Sequence, residues 1–121
     1  PAAADRIATL VRAQQAAVDA VHPGVTAAEV DAAARSVLAE AGLGDAFLHR
    51  TGHGLGVSVH EEPYIAPGND LVLREGMAFS IEPGIYFAGE WGARIEDIVV
   101  VTADGAERLN TAPHELTPAD R

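Results

Sequence analysis

Residues Gly76–Thr102, GMAFSIEPGIYFAGEWGARIEDIVVVT, decide the fold class. Gly76–Phe87 and Arg94–Thr102 are rich in β-branched and aromatic residues, and Ile98-Val99-Val100-Val101 is the most β-prone run in the chain. Between them Gly89-Glu90-Trp91-Gly92 has the composition of a turn. The pattern predicts two long antiparallel strands in a hairpin centred near residue 89 or 90. Downstream, Asp104-Gly105 signals a second tight turn before a short strand near Arg108–Thr111. Upstream, Ala46–Thr51 and Val57–His60 read as further strands, and the tail after Pro113 reads as loosely held.

The first forty residues differ. Ile7, Leu10, Val11, Gln14, Val18 and Val21 recur at helical spacing, which predicts an amphipathic helix over residues 3–21, broken at His22-Pro23-Gly24. Thr26 with Glu29 forms a capping box for a second helix, lined by Val30, Ala33, Ala34, Val37, Leu38 and Ala41, with Gly42 as its left-handed end. The helix pair reads as packing. Helices first and antiparallel strands after make the class α+β, in one domain over residues 1–121.

Composition narrows the function. A net charge of −10 argues against nucleic acid, whose phosphates it would repel. All eight basic residues are Arg, and the absence of Cys removes disulfide and thiolate chemistry. No apolar run approaches a membrane span, and no basic-then-apolar leader pattern opens the chain. The expectation is a cytoplasmic chain with neither nucleic acid nor membrane as partner.

Three of the five histidines, His49, His53 and His60, sit within HRTGHGLGVSVHEEP. His53 and His60 are seven residues apart, which would place them on opposite faces of an unbroken strand. A bend at Gly54 and Gly56 removes that restriction and lets both imidazoles turn to one point. Glu82, inside an apolar run, is costly to bury unless paired or metal-bound. Glu82 and Glu96 are fourteen apart, an even number that sets them face to face across the hairpin. Two carboxylates so placed repel, and a cation between them reverses the sign. With His53 they form a nitrogen-plus-two-carboxylate set suited to Mn, Co, Fe or Zn more than to Ca or Mg. His60 and Arg94 remain as groups around that set.

HRTGHGLGVSVHEEP, EGMAFSIEPGIYF and ARIEDIVVVT, in this order, resemble the C-terminal signature of the pita-bread-fold metallopeptidases. PGVTAAEVDAAAR resembles the helix segment before the histidine motif. This family includes aminopeptidase P, Xaa-Pro dipeptidase (prolidase) and methionine aminopeptidase. The resemblance implies two N-terminal helices packed on a curved antiparallel sheet, forming one half of the pita-bread domain. It also implies two divalent metal ions, manganese first, with Co, Zn or Fe as alternatives. His53 and Glu82 match ligands of one metal, and Glu96 matches the carboxylate bridging both. His60 matches a substrate-contacting, catalytic histidine, and Arg94 a catalytic-site arginine that steadies the centre. Arg94-Ile95-Glu96-Asp97 resembles the members that cleave before proline, so the implied substrate is a peptide with proline in its second position.

The chain departs from the family pattern in one respect. The family's two upstream aspartates have no counterpart, since Asp5, Asp19 and Asp31 fall in the helices and Asp45 and Asp70 in connecting segments. The expectation is the C-terminal part of a catalytic domain without its upstream half, holding a partial or empty metal site and inactive alone. Its uncovered sheet face should drive self-association or homo-oligomerisation. Methionine aminopeptidase is the alternative among peptidases. A non-catalytic binding module and a metal-independent hydrolase of the creatinase type are the others, and the retained His53, Glu82 and Glu96 count against both.

Overall fold

The computed structural model describes residues 2–55 and 61–110. Helix α1 (Ala2–Ala20) and helix α2 (Ala27–Glu40) are followed by a short 3-10 turn at Gly44–Ala46. The strands come next, β1 (Gly52–Gly54), β2 (Glu61–Ile65), β3 (Ala78–Ile81), β4 (Gly84–Phe87), β5 (Trp91–Arg94), β6 (Asp97–Thr102) and β7 (Gly105–Arg108). Five strands form one antiparallel sheet in the order β2-β1-β3-β6-β7, and β4 pairs with β5 in a separate ribbon.

Local chemistry explains the helix limits. Thr26 is extended, at φ −87° and ψ 156°, and its hydroxyl accepts the Glu29 amide at 3.2 Å. That satisfies one of the orphan donors at the start of α2. At the other end Gly42 takes φ +78°, a conformation that glycine adopts without a Cβ penalty. The helices pack on each other, α1 reaching β3 and β7 and α2 reaching β2. Ala13, Ala17 and Ala34 are fully buried and allow close approach, while Leu10 and Leu38 fill the space against Phe79, Ile81 and Val99. Each of these large side chains contributes about 1.5–3 kcal/mol through burial.

The long hairpin keeps a single register across a break. Ala78 pairs with Val100 and Ile81 with Asp97 in the main sheet, and Gly84 pairs with Arg94 and Phe87 with Trp91 in the ribbon. Each pair of numbers has the same sum, so Glu82 stands opposite Glu96 between the two paired regions. The strand expected over Gly76–Phe87 is therefore two strands, and the one expected over Arg94–Thr102 is β6 with the last residue of β5. Pro83 has no amide to donate, and pairing lapses there except for the Ile95 N–H, which donates to the Pro83 carbonyl at 3.2 Å.

Other expectations shift. Ala46–Thr51 is not a strand, since the chain leaves the 3-10 turn and joins the sheet only at Gly52. Arg35 Nη2 donates to the His49 carbonyl at 3.1 Å, so a helix side chain takes a ladder acceptor in that segment. The last strand starts at Gly105, directly after the turn at Ala103-Asp104, with Thr102 paired to Gly105. The strand expected at Val57–His60 and the tail after Pro113 lie outside the described residues.

Candidate metal centre

Three constraints fix His53. At Gly52 the requirement is space, because a Cβ built there would overlap the Ser80 carbonyl oxygen. The His53 amide donates to Ser80 Oγ at 3.1 Å. His53 Nδ1 lies 3.0 Å from the Gly54 carbonyl, which only accepts, so Nδ1 carries a hydrogen. In the neutral ring the lone pair then sits on Nε2. That atom lies 3.4 Å from Glu82 Oε2, with the two side chains 10% and 14% exposed.

Glu82 is held by one contact from outside the hairpin and one from within it. Its amide donates to the Thr51 carbonyl at 2.6 Å, joining the end of β3 to the entry of β1. Its Oε1 lies 3.8 Å from Arg94 Nη1, on a side chain that is half exposed, so this pairing is weak. Glu96, at the exposed end of the cluster, is held above the ordinary carboxylate value. Partial burial is the main cause, followed by the negative charge of Glu82 and a hydrogen bond between the two carboxyl groups. Arg94 and His53 pull the value back down. The two carboxyl groups meet, and the cluster is short of positive charge.

Asp97, next to Glu96, faces the helices. It is 1% exposed, accepts Gln14 Nε2 at 2.9 Å and pairs with Arg108 Nε at 2.9 Å. Arg108 also donates to the Oε1 atoms of Gln14 and Gln15, at 2.9 and 2.8 Å. Strand alternation thus sends Glu96 and Asp97 to opposite sides.

The structure brings His53, Glu82, Glu96 and Arg94 together; His60 lies outside the described residues. Among the described residues no group of three or more His, Cys, Asp or Glu side chains is arranged to hold a metal ion. By donor type alone, the one imidazole of His53 and the two carboxylates of Glu82 and Glu96 suit a borderline divalent cation. Sequence reading missed the buried polar bonds of Thr51 with Asp31, of Ser80 with the His53 amide, and of Asp97 with Gln14 and Arg108. It also gave no role to His49, whose Nε2 lies 3.2 Å from the Tyr86 hydroxyl. Asp31 also pairs with Arg35 one helical turn on, and His49 Nδ1 with the Arg50 carbonyl. The other partners named for these residues are distant in the chain, so no local pattern marks their place near the centre.

The pattern of metallopeptidase family M24 matches residues 1–103. The chain belongs to that family. It is 73% identical over 107 residues to the probable dipeptidase PepE of Mycobacterium tuberculosis, covering 88% of this chain and 28% of that protein. Against the Xaa-Pro dipeptidase of Lactobacillus delbrueckii subsp. lactis it is 57% identical over 104 residues, covering 86% and 28%. The chain thus spans under a third of the length of these curated M24 relatives. Among solved structures, dipeptidase PepE from Mycobacterium ulcerans superposes with a TM-score of 0.94 at 70% identity, covering 96% of this chain and 31% of that one. The prolidase from Pyrococcus furiosus superposes at 0.88 and 45%, covering 90% and 32%. The two-helix layer on an antiparallel sheet is thus the M24 pita-bread architecture. Among the described residues no helix is long and apolar enough to cross a membrane.

Proposed function

We propose that the protein bearing these residues is a cytoplasmic, metal-dependent peptidase that hydrolyses the peptide bond preceding proline. The observation that carries this reading is the approach of His53 Nε2 to Glu82 Oε2 at 3.4 Å with Glu96 opposite. Relatives named Xaa-Pro dipeptidase and prolidase support the substrate class. His53, Glu82 and Glu96 would hold divalent ions, manganese first, with Glu96 shared between two of them. When bound, such ions polarise the peptide carbonyl and lower the pKa of water, which supplies a nucleophile at neutral pH.

The chain's own residues do the rest. With Nδ1 donating to the Gly54 carbonyl, the neutral His53 ring would present its Nε2 lone pair to a cation shared with Glu82. Because the Glu96 carboxyl is held above its ordinary value, a cation bound there would compete with protonation. Arg94 balances part of the Glu82 charge from the solvent side. His60 is assigned to substrate contact by the family resemblance. Three donors are too few for two ions, and the two further aspartates of the family pattern are not matched within residues 1–121. These 121 residues alone should bind one ion weakly, show negligible activity, and self-associate through large exposed apolar side chains such as Leu48 and Leu109.

The test is cleavage of Xaa-Pro and Met-Xaa dipeptides by the purified protein, with Mn²⁺ and after chelation. Xaa-Pro cleavage should require the ion, and Met-Xaa peptides should be poor substrates. Glu96→Ala should abolish turnover, whereas His60→Ala should lower turnover and spare ion binding. Ion-independent cleavage, or a preference for Met-Xaa, would overturn the reading.

A further inference from the structure

The helix layer reaches the candidate centre at a point that no motif marks. Asp31, on α2, is 1% exposed, a depth at which a carboxylate requires full pairing. Arg35 provides a fork, with Nε 2.9 Å from Oδ2 and Nη2 3.0 Å from Oδ1. Thr51 supplies two further donors to Oδ1, its hydroxyl at 2.7 Å and its amide at 3.2 Å. Thr51 is itself fully buried, and its carbonyl accepts the Glu82 amide. Two residues further on, His53 is tied to Ser80. One threonine thus joins α2 to both segments that carry candidate ligands.

Packing alone does not account for this arrangement. A buried ion pair adds little stability over apolar residues of the same volume. Charge-assisted hydrogen bonds, by contrast, fix direction as well as distance. We propose that Asp31 is a positioning residue for the metal centre, fixing Thr51 and through it the spacing between His53 Nε2 and Glu82 Oε2. The proposal rests on reading His53 and Glu82 as ion ligands. Removing a group that orients a metal ligand weakens metal binding by about 10- to 100-fold.

Three variants separate positioning from stability. Thr51→Val keeps the volume and the carbonyl but loses the hydroxyl, whereas Thr51→Ser keeps the hydroxyl. Leu38→Ala opens a cavity in the same helix without touching the tie. Two quantities are read where all variants are folded, the Mn²⁺ affinity by calorimetry and the exchange rate of the Glu82 amide in metal-free protein. Thr51→Val should weaken Mn²⁺ by about tenfold or more. It should also speed Glu82 exchange relative to the core amide of Val99. Thr51→Ser should match the wild type in both. Leu38→Ala should lower the thermal midpoint while leaving Mn²⁺ affinity unchanged. Wild-type affinity and exchange in Thr51→Val would overturn the proposal, as would an equal loss of affinity in Leu38→Ala. A wild-type protein that binds no Mn²⁺ would sink the ligand reading instead. The exchange contrast needs no ion, and decides the tie from Asp31 independently.

Discussion

Glu96 is where the candidate centre becomes measurable one residue at a time. Its carboxyl is raised from the reference value of 4.5, chiefly by partial burial and then by the charge of Glu82. A carboxyl raised on folding binds more protons in the folded state than in the unfolded one across the window just above that value. The stabilising contribution of the protonated group is therefore complete below 4.5 and is lost as pH rises through the folded value. In metal-free protein, urea midpoints between about pH 4 and pH 7 should carry this downward component. Glu96→Gln, which cannot ionise, should flatten it. An unchanged pH profile in that variant would mean that the Glu96 carboxyl is not raised in solution by its burial and by Glu82.

Strand β1 is only three residues long, and its position depends on having no side chain at Gly52. Gly52→Ala should force β1 away from β3, because the clash is with backbone and no rotamer relieves it. We expect a loss of about 3 kcal/mol, at the upper end of overpacking costs, and weakened metal binding as His53 moves off Glu82. Gly105→Ala is the control, since nothing lies within 4 Å of its added Cβ, and it should change stability by about 0.5 kcal/mol or less. Thermal melts of the two variants check this. The hairpin was legible in the sequence because alternation and the separation of Glu82 from Glu96 are local arithmetic, and α2 because Thr26 and Gly42 are local signals. Strand β2 was not, since Pro63 and two glutamates argue against a strand that only the neighbouring β1 makes possible. The helices were read as packing alone. Gln14 instead donates to Asp97, and Asp31 accepts from Thr51 as well as from Arg35 one turn on, so that in the sequence it looks like half of an ordinary exposed helix ion pair.

At the scale of the molecule, the helices cover one face of the sheet and the candidate centre opens at its other side. Along β6, Asp97, Val99 and Val101 are buried, while Ile98 and Val100 are half-buried. Glu96 therefore emerges away from the helices, where it can meet a cation in an overall field of net charge −10. Fixing Glu82 and Glu96 together costs stability when no cation is present, and an ion bound only by the folded state returns it. The denaturation midpoint of the protein should therefore rise with Mn²⁺ and fall on chelation. At a free ion concentration a hundredfold above Kd the gain is about 2.7 kcal/mol. Thermal melts in chelator and in graded Mn²⁺ measure it, and Mg²⁺ at the same concentration should give less, because it favours an all-oxygen shell. Glu82→Ala should abolish the Mn²⁺ shift and, by relieving the carboxylate pair, stabilise the metal-free protein relative to wild type. If that variant kept the full shift, the ion would be bound elsewhere on the acidic surface, and the assignment of His53, Glu82 and Glu96 as ligands would fall.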